Sequence, residues 1–164
     1  SPSNVAEAIA RRHVKSRREA AIAFLQATEM TLEQEHLVAI EERLHAGSPP
    51  ALFHAALSTR LLLEGIADHC FQGRAEQIVD RFGRSHDVKK INVGNRIAAY
   101  VDIRLKTILS DEEHRLFVAN LDTVNRWCGR GPHRIYNPRE AEEFFLRLLD
   151  VLNVIARAYA ARSI

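Results

Sequence analysis

The chain has 164 residues, 46% of them hydrophobic and 27% charged, with a formal net charge of +2. That is the size of one ordinary domain, able to bury roughly 70% of the surface its unfolded form exposes, and it is neither a disordered tail nor a membrane span. The charge is too mild to mark a strong nucleic-acid binder by itself, and 7 Gly with 5 Pro are too few turn formers for a β-sandwich or a Rossmann domain.

The first helical segment is predicted from about Ser3 to Ala46, with an interruption between Thr28 and Thr31. Thr31-Leu-Glu-Gln34 has the form of a capping box, so a second helix is expected to open there. Leu37, Ile40 and Leu44 then recur on one face. Gly47-Ser48-Pro49-Pro50 breaks the chain, and Ser48 is placed to cap the next helix with Pro49 in its first turn. Residues 51–71 read as a helix that is apolar around most of its circumference, which predicts a central position in a bundle. Arg74 to Phe82 reads as a short helix stopped by Gly83, and Asp87 is placed to cap a helix from about Val88 to Leu109. Ser110-Asp-Glu-Glu113 is a second capping box, opening a helix to about Trp127. Gly129, Gly131 and Pro132 interrupt it, and Asn137-Pro138 starts a last helix to about Ala161. Phe144, Leu148, Leu152, Ile155 and Tyr159 form its core stripe. The expected fold is all-α, a single-domain bundle of five to seven helices. A helical segment over 1–46, one long helix or two, joins a bundle core over 48–161 to make that one domain.

Cys70 and Cys128 form no CxxC, which predicts free thiols in a reducing, cytoplasmic compartment. No apolar run approaches the ~20 residues of a membrane helix, so no membrane partner is expected. The chain opens Ser-Pro-Ser with Met30 as its only Met, as expected of a domain from a longer protein.

The signatures of P-loops, dinucleotide folds, zinc proteases, serine hydrolases and EF-hands are absent. The segment that can carry chemistry is Arg126-Trp-Cys-Gly-Arg-Gly-Pro-His133. From Arg126 to Arg139 there are four arginines, one histidine and no acid. Arginine donates a planar fork to phosphate and stays charged, and histidine titrates near neutral pH, so such a segment can bind and cut RNA without a metal. From spacing alone it reads first as a basic interhelical loop, with its arginines paired to Glu140, Glu142 or Glu143. Arg60 and Glu64, four apart on the apolar helix, read either as an ion pair at the core edge or as support for Arg126.

This arrangement resembles the HEPN superfamily of all-helical toxin, phage-defence and RNase domains. Their mark is an Arg, four to six residues, then a His, near the join of the last two main helices; Arg126 and His133 match it at the long limit. The flanks Phe117–Asn125 and Pro138–Phe145, and Thr59-Arg60-Leu-Leu-Leu-Glu64 upstream, also fit, over roughly residues 48–160. The resemblance implies a homodimer acting on RNA without a metal or cofactor, under an antitoxin or another regulatory protein. Arg126 and His133 would be catalytic, Asn125, Arg60 and Glu64 supporting, and Arg130 and Arg134 phosphate contacts. Trp127 stands where active members carry a polar residue, with Asn125 before the arginine instead of after it. The alternative is therefore a non-catalytic dimerisation or interaction domain of a larger regulatory or defence protein.

Three further patterns carry a structural reading beside a functional one. Glu33-x-x-His36, Glu42-x-x-His45 and Asp111-x-x-His114 partly match di-iron ligand spacing but point to solvated faces. Cys128 suggests a thiol nucleophile or a small packed residue. Arg11-Arg-His-Val-Lys-Ser-Arg-Arg18 reads equally as an acidic-partner or nucleic-acid contact and as a solvated helix face.

Overall fold

A computed structural model describes residues 2–129 and 137–161. Its helices are α1 (Pro2–Ala27), α2 (Thr31–Ala46), α3 (Pro49–Cys70), α4 (Val93–Leu105), α5 (Asp111–Cys128) and α6 (Pro138–Ala161). One antiparallel hairpin, β1 (Gln77–Val79) and β2 (Ser85–Asp87), stands between α3 and α4. The all-α, single-domain bundle is as expected, and one continuous apolar core draws residues from every helix.

Several breaks are set by local chemistry. At the end of α1, Glu29 takes a left-handed conformation at φ 58°. The N–H of Met30 then bonds to Leu25 O at 2.9 Å and that of Glu29 to Gln26 O at 3.1 Å, a Schellman closure made without glycine. Thr31 does not cap α2: Met30 holds the cap position and no side-chain cap bond forms, because Thr31 is already helical. Ser48 does cap α3, accepting the Ala51 N–H. Ser110 and Glu113 make both bonds of a capping box. Asn137 Oδ1 accepts the Glu140 N–H at 2.9 Å to start α6.

Two expectations fail between α3 and α4. Residues 74–82 are not a helix. Asp80 Oδ1 accepts the backbone N–H groups of Phe82 and Arg84 at 2.8 and 2.9 Å, and Gly83 sits at φ 79°, so the chain folds back on itself. The pairing places Ile78 opposite His86. Asp87 lies in β2 and caps no helix. Residues 88–92 remain a loop because Arg74 N–H bonds to Val88 O and buried Arg96 reaches Lys90 O, and α4 starts only at Val93.

The centre of the bundle is α6 and not α3 alone. Helix α6 packs on α1, α2, α4 and α5, while α3 packs on α2, α4 and α5. The apolar circumference of α3 includes a stripe left in solvent, with Phe53 63% exposed and Leu57 and Leu61 each 43%.

Candidate functional site

The departure of the chain from pure helix creates a cavity of about 910 Å³, walled by the hairpin, α3, the first turn of α4 and one face of α5. Arg60, Leu63 and Glu64 of α3 form one side. Asn92, Val93, Gly94 and Asn95 bring the start of α4 to it, and Asn125 and Gly129 bring the end of α5. At Gly94 the two helices come close: a Cβ there would lie 2.5 Å from the Asn125 amide nitrogen and would push that side chain aside.

The hairpin contributes Asp80, Phe82, Arg84 and His86. His86 Nε2 meets Asp80 Oδ2 at 2.7 Å, across the turn. Burial alone would raise the Asp80 pKa, but hydrogen bonds from His86 and from the Arg84 and Phe82 backbone outweigh it and bring it down to about 2. The carboxylate is thus a fixed negative charge that orients the His86 ring. Such a carboxylate–histidine pair is the arrangement that sets a histidine for proton transfer.

Behind it, Arg81 ties the hairpin to the helices. Its Nε donates to Asp102 Oδ1 and its Nη1 to Leu109 O, both at 2.7 Å. His114 of α5 is 3% exposed and lines the cavity, with Nδ1 buried and without a hydrogen-bond partner among the described residues. Asp102 Oδ1 lies 4.0 Å away, beyond hydrogen-bond reach. Burial, followed by the positive charge of Arg81, lowers the His114 pKa and keeps the ring neutral. Arg115 places its guanidinium 4.4 Å over the Phe82 ring.

The expected site residues divide three ways. Arg60, Glu64 and Asn125 are brought together at the cavity. Arg60 and Glu64 do not pair, and both are exposed. Arg126 is exposed, with its Nη2 3.4 Å from Thr123 Oγ1, and does not line the cavity. Arg130, His133 and Arg134 lie outside the described residues. Trp127 turns inward and packs on Phe144 with ring centroids 5.5 Å apart, so the position after Arg126 serves the core. Asp80, His86 and Arg84 were missed because a hairpin was not expected; Asp80-x-x-Gly83 is the turn signal that could have found them.

Among the described residues no three of His, Cys, Asp and Glu group as a metal site needs. The Cys128 thiol is buried and its pKa is pushed up to about 12 by that burial, so it is not a thiolate nucleophile. In the basic N-terminal cluster, Arg18 binds Glu41 at 2.7 Å, Arg17 lies 3.3 Å from Asp150 and Lys15 4.0 Å from Glu19. No helix among the described residues is long and apolar enough to cross a membrane. Compared with family models, curated proteins and solved structures, the chain matches none.

Proposed function

We propose that the chain is a HEPN-like domain that binds RNA and cleaves it without a metal, with Arg126 and His133 as the reacting pair. The observation that supports this reading is the setting of the end of α5. The helix that carries Arg126 delivers its neighbour Asn125 into a cavity shared with Arg60 and Glu64. The arginine-rich, acid-free segment 126–139 begins at the rim of that cavity. In the reaction, His133 takes the proton of a ribose 2′-hydroxyl and the 2′-oxygen attacks the adjacent phosphorus. The bond from phosphorus to the 5′-oxygen breaks, and His133 returns the proton it took to that oxygen, which leaves as a 5′-hydroxyl. The other product is a 2′,3′-cyclic phosphate. Arg126 holds the phosphate and its developing charge. The test is incubation with mixed RNA in EDTA. Cyclic-phosphate ends that disappear in His133→Ala are expected; no cleavage by folded protein overturns the catalytic reading.

The exposed stripe Phe53, Leu57 and Leu61 on α3 favours a second reading, a non-catalytic homodimerisation or interaction domain. The inward position of Trp127 agrees with it. On this reading sedimentation equilibrium finds a dimer that Leu57→Glu converts to monomer, and a monomeric parent chain overturns it.

A further inference from the structure

Two side chains at the tip of the hairpin reach the helices. Arg81 bonds to Asp102 Oδ1 and Leu109 O and lies 3.5 Å from Asp111. Phe82 sits beside the His114 ring and under the Arg115 guanidinium. The base of the hairpin is tied separately, by Asn95 Nδ2 to Asp87 O and by Arg74 N–H to Val88 O. Its strands are three residues each and, among the described residues, pair only with each other. A two-stranded hairpin is at best marginal in water by itself, so its order depends on these ties. The same hairpin walls the cavity through Ile78, Asp80, Phe82, Arg84 and His86.

The tie at the tip runs through a buried group of charges. Arg81 Nε and His114 Nδ1 face one oxygen, Asp102 Oδ1, at 2.7 and 4.0 Å. The side chains of Arg81, Asp102 and His114 are all more than nine-tenths buried. Among the described residues Arg81 Nη2 and His114 Nδ1 have no hydrogen-bond partner. With His114 neutral, one guanidinium meets one carboxylate. A proton on His114 sets a second cation on that carboxylate, away from water, where like charges repel with little screening. Asp80 of the hairpin and Asp111 of α5 also attract the protonated ring, but burial and Arg81 outweigh them. On α6, Arg157 lies 3.8 Å from Glu113, the residue before His114. Helices α4 and α5 are anchored in the core by Val101, Leu105, Phe117 and Leu121. The hairpin has no such anchor, so it is the element that yields.

We infer that the hairpin is a proton-released lid on the cavity: Arg81 latches its tip to Asp102 while His114 is neutral, and protonation of His114 in mildly acidic solution lets the tip go. The imidazolium then takes Asp102 Oδ1, the guanidinium turns to solvent, and the cavity opens on the hairpin side. The device does not depend on RNA cleavage or on which ligand the cavity holds.

The experiment is amide hydrogen exchange on the intact chain at about pH 7.5, 6.5 and 5.5, corrected for the intrinsic pH dependence of exchange, beside an NMR titration of the histidine rings. Protection over residues 77–87 is expected to fall about ten-fold between pH 6.5 and 5.5, the most that one bound proton supplies per pH unit, while α5 and α6 keep theirs. In His114→Phe the hairpin is expected to be equally protected at each pH. In His86→Gln, which removes the other histidine of the hairpin region, the fall is expected to persist. If His114→Phe does not fold, the native chain decides, because the loss of protection must follow the protonation of the His114 ring. The inference is overturned if protection over 77–87 does not change, if α5 and α6 lose protection together with it, if the change follows His86 instead of His114, or if it survives in His114→Phe.

Discussion

His114 shows what a single buried side chain does to this protein. Burial and Arg81 hold its imidazole neutral, and Asp102, Asp80 and Asp111 oppose that shift without cancelling it. The unfolded chain takes up the proton near the ordinary value of 6.5, while the folded chain does so only at lower pH. The unfolded state therefore binds more protons below 6.5, and stability falls as the pH drops through that value. Urea midpoints at about pH 7.5 and 5.5 are expected to differ, and the difference to shrink in His114→Phe. An undiminished difference would place the pH dependence on another group. Asp80 acts in a separate window, since a carboxylate at about 2 contributes above 3.8 and is lost only as the pH falls from 3.8 towards 2. Neither role is visible in the sequence. Asp111-x-x-His114 is legible there as a spacing, but only the fold puts the ring beneath Phe82, with ring centroids 5.8 Å apart.

At the level of elements, the helix boundaries that local side chains determine are the legible ones. Ser48, the Ser110–Glu113 box and Asn137 all cap as their positions in the sequence indicate. The α1–α2 junction is legible as a break but not in its mechanism. Its left-handed residue is Glu29, and a non-glycine residue in that conformation costs roughly 1–2 kcal/mol. Glu29→Gly is therefore expected to stabilise the chain by about 1 kcal/mol, raising the melting temperature by about 2–4 °C. A lower melting temperature would show that the Glu29 side chain contributes more than its backbone costs. The hairpin was hidden because Arg74–Phe82 has helix-forming residues. What decides its conformation is the pair of backbone bonds to Asp80, together with the burial of Arg81 against Asp102, 21 residues further on in α4.

For the whole molecule, Arg96 ties the distant end of α3 and the loop just before α4 to its own helix. It is 1% exposed and donates to Phe71 O, Lys90 O and Asp68 Oδ1, each within 3.0 Å. These bonds hold the end of α3 and the loop over 88–92 against α4, and so set one wall of the cavity. Gly73 allows the same approach, since a Cβ there would lie 2.5 Å from the Lys90 nitrogen. Arg96→Ala leaves two carbonyls without their donor and is expected to cost about 2–4 kcal/mol in chemical denaturation. Arg96→Lys is expected to recover only part of it, because an ammonium cannot span three acceptors with the geometry of a guanidinium. A loss below about 1 kcal/mol in Arg96→Ala would show that the loop is held by other contacts. The all-α class and most helix ends follow from the sequence alone, because helix periodicity and capping act over three or four residues. The cavity, the neutral state of His114 and the grouping of Arg60 with Asn125 required the tertiary structure. They depend on Arg81, Arg96 and Gly94 meeting partners more than twenty residues away, and no local pattern encodes such distances.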